Sequence, residues 1–203
     1  QIWLNLPRAD KRVRPYFSMF WDQEVPRLVS KDTQGRRVEI TIVAGTIGTT
    51  TAPPPPPNSW ASNKGSDVAI WTIRLDAGSR WTLPPARPGG NRCVYVVKGS
   101  GLKIGERRIP THHQAILKSE VPGELAAGAE PLELLVLQGQ PIGEPVVQHG
   151  PFVMNTRDEI VQAFQDYRRT QFGGWPWPDS GPVHGKENQR FARHADGRTE
   201  RPG

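Results

Sequence analysis

Apolar and polar residues alternate in short runs along this chain, and Gly and Pro break the runs at close intervals. In V-E-I-T-I-V-A, residues 38–44, Val38, Ile40, Ile42 and Ala44 alternate with Glu39, Thr41 and Val43. This is the period-two signature of a strand with one face on a core. I-W-L-N-L at 2–6, V-A-I-W-T-I-R-L at 68–75, C-V-Y-V-V-K at 93–98, H-Q-A-I-L at 113–117 and L-E-L-L-V-L at 132–137 have the length and composition of further strands. K-G-S-G at 98–101 supplies a hairpin turn with glycines free to take positive φ. T-A-P-P-P-P-P-N-S at 51–59 is a stiff extended loop, because five prolines remove five donors. Its place between two elements of one core disfavours the other reading, a ligand for an SH3-type domain.

The period changes once. Thr156 and Glu159 form a capping box; Ile160, Ala163, Phe164 and Tyr167 then fall on one helical stripe that Gly173-Gly174 ends. The pattern therefore predicts a mainly all-β protein: an antiparallel barrel or sandwich over residues 1–150, an amphipathic helix within 151–172, and an irregular tail over 173–203 held by Trp175, Trp177 and Phe191.

Composition narrows this. The chain has 203 residues, only 35% of them apolar, with 21 Gly and 21 Pro, which favours short strands and turns over long helices. A formal net charge of +6 invites a nucleic-acid reading, but the basic residues are scattered and no fold signature for such binding is present, so they are read as solvated surface. Cys93 has no partner for a disulfide and suits a small buried hydrophobe. No apolar run approaches a membrane span, and Q-I-W-L-N-L-P has no leader pattern, so a cytoplasmic protein is expected. A start at Gln1 is expected of a piece of something longer, or of a processed product.

Candidate chemistry is sparse. His112 and His113 are adjacent, so on a strand they would point to opposite faces and not share one ion. His149, in Q-H-G-P, reads as a structural turn residue, and His184 and His194 as exposed tail residues. Cys93 has no cationic neighbour in sequence and no G-x-S-x-G elbow exists. G-T-I-G at 45–48 and P-G-G-N at 88–91 lack the strand-loop-helix context of a phosphate cradle and read as turns.

Three strings carry a more specific signal: Q-I-W-L-N-L-P at the start, L-Q-G-Q-P-I-G-E-P-V-V-Q-H-G-P-F-V-M-N-T-R-D-E-I-V-Q-A-F-Q-D-Y at 137–167, and F-G-G-W-P-W-P in the tail. By these the chain resembles the pirin family, whose members are bicupins, and it corresponds to the second half of one, without the first barrel. The resemblance implies a cupin-type jelly roll. It also implies that iron or another divalent metal, held by histidines and a glutamate, belongs to the N-terminal barrel, and that the intact protein has quercetin 2,3-dioxygenase-type activity. In this chain Leu83 to Pro85 stand near the family's histidine positions and Arg92 near its glutamate position, and no His occurs between Gln114 and Gln148. No catalytic, cofactor or metal residue is therefore expected here. The expected partner is the N-terminal barrel, touched by Phe152, Met154, Ile160, Phe164 and Tyr167, and without it self-association is expected. Membrane binding is not expected. Two further readings are a non-catalytic module acting as a cofactor of transcription regulators, and a small-molecule cupin holding an apolar or sugar ligand in the barrel mouth.

Overall fold

The structure, a computed structural model, describes residues 1–174 and 189–203. The chain divides into two compact units, one built from Gln1–Pro7 and Asp22–Gly143, the other from Arg8–Trp21 and Glu144–Gly203.

The first unit holds two antiparallel sheets. In chain order its strands are β1 (Arg27–Lys31), β2 (Arg37–Ala44), β3 (Thr46–Ile47), β4 (Thr50–Thr51), β5 (Ala69–Leu75), β6 (Arg80–Leu83), β7 (Asn91–Lys98), β8 (Leu102–Ile104), β9 (Arg107–Ile109), β10 (Gln114–Lys118), β11 (Gly123–Ala127) and β12 (Leu132–Gly139). Six of them form a sheet in the order β1-β2-β5-β12-β7-β10, four form a second in the order β6-β11-β8-β9, and β3 and β4 make a small hairpin of their own. Alternate residues of the long strands close one core: Val38, Ile40 and Ile42 from β2, Trp71, Ile73 and Leu75 from β5, Val94 and Val96 from β7, Leu132, Leu134 and Val136 from β12, meeting Leu83, Leu102 and Leu125 of the second sheet. Fully burying each such aliphatic side chain contributes about 1.5–3 kcal/mol, which is why a chain this rich in Pro and Gly still folds.

Two elements differ from the expectation. Residues 2–6 are not a strand: they join no sheet, and Trp3 is 67% exposed. The turn at 98–101 is not a hairpin. It joins β7 of the large sheet to β8 of the small one, so the two glycines carry the chain between layers. The 51–59 segment is an irregular loop beyond β4, as its prolines require.

A β-bulge between Ile42 and Ala44 ends the regular pairing of β2 with β5 and bends the chain into the β3–β4 hairpin. Gly45 at that bend has φ +84, and a Cβ there would stand 2.6 Å from the Val68 carbonyl oxygen. Only glycine lets the hairpin lie that close to the start of β5.

The β1–β2 turn is built around Asp32. Its Oδ1 accepts from the backbone N–H of Gln34 (2.8 Å) and Arg36 (3.0 Å), and its Oδ2 from Arg36 Nε (2.8 Å) and the Arg80 N–H (3.2 Å). Desolvation opposes ionisation, but these four donors outweigh it and hold the carboxyl at about 2 instead of the ordinary 3.8. A depressed carboxylate contributes stability above its unfolded value and loses it as pH falls through its folded one, so this contribution disappears between about pH 4 and pH 2. Asp32→Asn should lower the urea midpoint at neutral pH and flatten the loss of stability over that window. An acid limb identical to that of the parent protein would show that the turn titrates elsewhere.

The second unit contains the hairpin β13 (Val147–His149) and β14 (Phe152–Met154), the helix α1 (Arg157–Gly174), and the hairpin β15 (Ala192–Arg193) and β16 (Thr199–Glu200). The capping box forms as expected: the Glu159 N–H donates to Thr156 Oγ1 (3.2 Å), and Glu159 Oε2 accepts from the Thr156 N–H (2.9 Å) and also from that of Asn155 (3.0 Å). Partial desolvation resists ionisation of Glu159, but hydrogen bonds from Arg8, Asn155 and Thr156 prevail and hold its carboxyl below the usual range. Arg8 also donates its backbone N–H to Glu144 (2.7 Å), and Lys11 reaches the Val153 carbonyl (3.1 Å), so residues near the start of the chain brace the helix entry.

The tail differs from the irregular run expected of it, because β15 and β16 pair and fold back on the 8–21 segment. His194, expected in solvent, is 8% exposed. It stacks on Phe17 at 4.4 Å and contacts Glu200 Oε2 through Nε2 (3.0 Å), while Glu200 Oε1 accepts from Trp21 Nε1 (3.2 Å). Trp21 ties the described tail down; Trp175, Trp177 and His184 lie outside the described residues. No helix among the described residues is long and apolar enough to cross a membrane.

Candidate functional site

A cavity of about 350 Å³ opens in the first unit, with the β3–β4 hairpin, the start of β5, the Pro84–Ala86 turn, Arg92 and Gln138 around it. Strand β7 puts Arg92, Val94 and Val96 on its core face by strict alternation, so an arginine is carried inside, 1% exposed. A buried guanidinium is tolerated only when its N–H groups are paired. Gln138 of β12, directly opposite in register, accepts on Oε1 from both Nε (2.8 Å) and Nη2, and the Pro84 carbonyl accepts from Nη1 (2.8 Å). Gln138 is itself oriented, because its Nε2 donates to the Asp67 carbonyl (3.1 Å). Asp67 takes φ +48, a left-handed conformation that Asp tolerates better than most residues. In this pose its carboxylate also accepts the Arg87 N–H (3.0 Å). Burial pushes the Arg92 guanidinium below its usual range, and the Asp67 carboxylate opposes that shift.

These residues do not suit a metal. Leu83 contributes an apolar side chain to the core, Pro84 and Pro85 offer no side-chain donor, and Arg92 presents a cation with no lone pair to share. Elsewhere His112 (φ +63) and His113 are exposed in the turn before β10, where His113 Nδ1 contacts the Thr111 carbonyl (3.0 Å). His149 is exposed on β13, edge-on to Phe164 at 5.6 Å. Among the described residues no three His, Cys, Asp or Glu side chains converge.

Of the five expected contact residues, Phe152, Phe164 and Tyr167 meet edge to face, with ring centres 4.8 Å apart for Phe152–Phe164 and 5.8 Å for Phe152–Tyr167. Met154 and Ile160 are buried, Phe152 and Phe164 half-buried, and Tyr167 alone is exposed. These ring contacts lie within the second unit. A different apolar row was not legible in the sequence: Ile70, Leu137, Cys93 and Ile116 stand opposite one another across β5, β12, β7 and β10, on the face of the large sheet away from the core. Cys93 is half-buried there, with burial pushing its thiol up, and Ile116 is 78% exposed.

Comparison with known proteins agrees with this architecture. The sequence profile of the Pirin C-terminal cupin domain matches residues 70–173. A Pseudomonas aeruginosa protein provisionally named a quercetin 2,3-dioxygenase is 35% identical over 83% of this chain and 56% of its own length. A pirin-like protein of Solanum lycopersicum is 34% identical over 83% of this chain and 54% of its length. The crystal structure of a quercetin 2,3-dioxygenase from Acinetobacter baumannii superposes with a TM-score of 0.69 at 28% identity, covering 84% of this chain and 55% of that one. The chain spans about half the length of the curated relatives it matches. With its two antiparallel sheets on one core, and the family profile spanning half its residues, this chain belongs to the pirin family and carries that family's C-terminal cupin jelly roll.

Proposed function

We propose that this chain is the metal-free half of a longer, cytoplasmic pirin-like oxygenase. Its iron or other divalent metal belongs to a preceding N-terminal barrel, and its reaction is the quercetin 2,3-dioxygenase type. The observation that carries the reading is Arg92, a buried cation held by Gln138 and Pro84 where a cupin metal ligand would stand. Two facts support the remainder: relatives about one and a half times as long bear quercetin 2,3-dioxygenase names, and the row through Leu137, Cys93 and Ile116 lies on the face of the large sheet away from this chain's own core. The role of this half is then to present that face and complete the fold, while oxygen chemistry proceeds next door.

The test compares this chain alone with the longer protein containing a preceding barrel, by elemental analysis and by quercetin loss coupled to oxygen uptake. Metal near one per chain and turnover are expected only in the longer protein. Stoichiometric metal in the short chain, lost when His112 and His113 are replaced, would overturn the assignment. A metal-loaded long form without turnover would favour the cofactor of transcription regulators instead.

A further inference from the structure

We propose that the cavity beside Arg92 is a binding site for a small monocarboxylate with a compact apolar body. This is independent of whether a preceding barrel carries a metal. The space, about 350 Å³, lies at the small end of ligand sites and wholly within the first unit.

Its chemistry is donor-rich. A guanidinium carries five N–H groups, and the contacts of Arg92 with Gln138 and Pro84 use three of them. Trp71 lines the same cavity, is 3% exposed, and its indole N–H, which can only donate, has no hydrogen-bond partner among the described residues. An unpaired buried donor is costly, so a small side-chain shift that brings this N–H to an acceptor in the cavity is favoured by the protein's own deficit. Gln138 cannot supply that acceptor, since its oxygen is committed to Arg92 and its amide nitrogen to Asp67.

Charge selects the ligand further. Arg92 and Lys64 line the cavity against the single carboxylate of Asp67, leaving one positive charge. A monoanion neutralises it, and a planar carboxylate matches the planar guanidinium better than a spherical ion does. The indole of Trp71, together with Ile47 and Val68, gives the rest of the molecule an apolar wall. These features distinguish the site from the apolar or sugar pocket that a cupin mouth suggests: its net positive charge and unpaired indole donor favour an anionic acceptor group.

Benzoate is the probe, and uncharged, isosteric benzamide the control, titrated into the nitrogen-labelled chain with proton–nitrogen correlation spectra as the readout. Benzoate should shift the Trp71 indole resonance together with backbone resonances of residues 45–48 and bind at least about tenfold more tightly than benzamide, the scale of one charge-assisted hydrogen bond. The resonance is assigned by its loss in Trp71→Phe, or, should that variant not fold, by connectivity from the Trp71 backbone. Lys64→Gln, an exposed change at the rim, should weaken benzoate by about threefold and leave benzamide unaffected. Equal affinity for the two probes, shifts mapping outside the cavity, no saturable shift with either, or an unchanged benzoate affinity in Lys64→Gln would each overturn the proposal.

Discussion

Gly99→Ala is expected to destabilise the first unit by about 3 kcal/mol or more, through backbone strain and a collision acting together. Gly99 sits at φ +106, where an alanine pays about 1–3 kcal/mol before any contact is counted. Its Cβ would then lie 2.4 Å from the Pro131 carbonyl oxygen and 2.5 Å from Leu132 Cδ2. Neither neighbour can yield cheaply. Leu132 is 1% exposed and opens β12, which is paired on both sides, with β5 and with β7. Gly105→Ala is the matched control, because Gly105 has φ +56 but nothing within 4 Å of the place its new methyl group would take. It should cost only about 1 kcal/mol, the conformational part alone. Equal urea midpoints for the two variants would contradict the close packing of the 98–101 turn against the start of β12.

Arg92→Met should cost about 2–5 kcal/mol, although methionine fills similar space. The loss comes from the partners left behind: Gln138 Oε1 and the Pro84 carbonyl would be half-buried acceptors without this donor, at about 1–3 kcal/mol each. The double variant Arg92→Met with Gln138→Leu separates this from simple loss of packing. Removing both members of a buried hydrogen-bonded pair can be nearly neutral, so the double variant is expected to be more stable than the single one. A single variant as stable as the parent in urea or thermal unfolding would mean that Arg92 is solvated, not buried.

The long strands were legible because their apolar residues recur every second position and their faces close a core; Val38, Ile40 and Ile42 are the plainest case. The strands that escaped notice are short or polar. R-L-V-S-K of β1 is largely exposed and held by its backbone ladder to β2, a contribution that leaves no hydrophobic trace. G-E-L-A-A of β11 and R-R-I of β9 are too brief to show a period. I-W-L-N-L erred in the other direction, since its composition suits a strand but no edge receives it. The capping box was readable because its two hydrogen bonds are local, between residues three apart. The Arg92 cluster could not be read in full, because Asp67, Pro84 and Gln138 are distant in sequence and only the register of β7 on β12 brings the last of them to the arginine. The burial of His194 is hidden from the sequence for the same reason: its ring partner, Phe17, is distant in sequence.

That last pairing bears on how the protein is made. Arg8 meets Glu144 and Glu159 across 136 and 151 residues, and Trp21 meets Glu200 across 179. On a ribosome, which emits chains from the N-terminus at about 5–20 residues per second, the 8–21 segment must wait many seconds for its partners. The strands of the sandwich emerge in between and can close their own core first. The second unit is therefore completed only after the strands of β15 and β16 have emerged, by a loop closure spanning a domain that can fold before them.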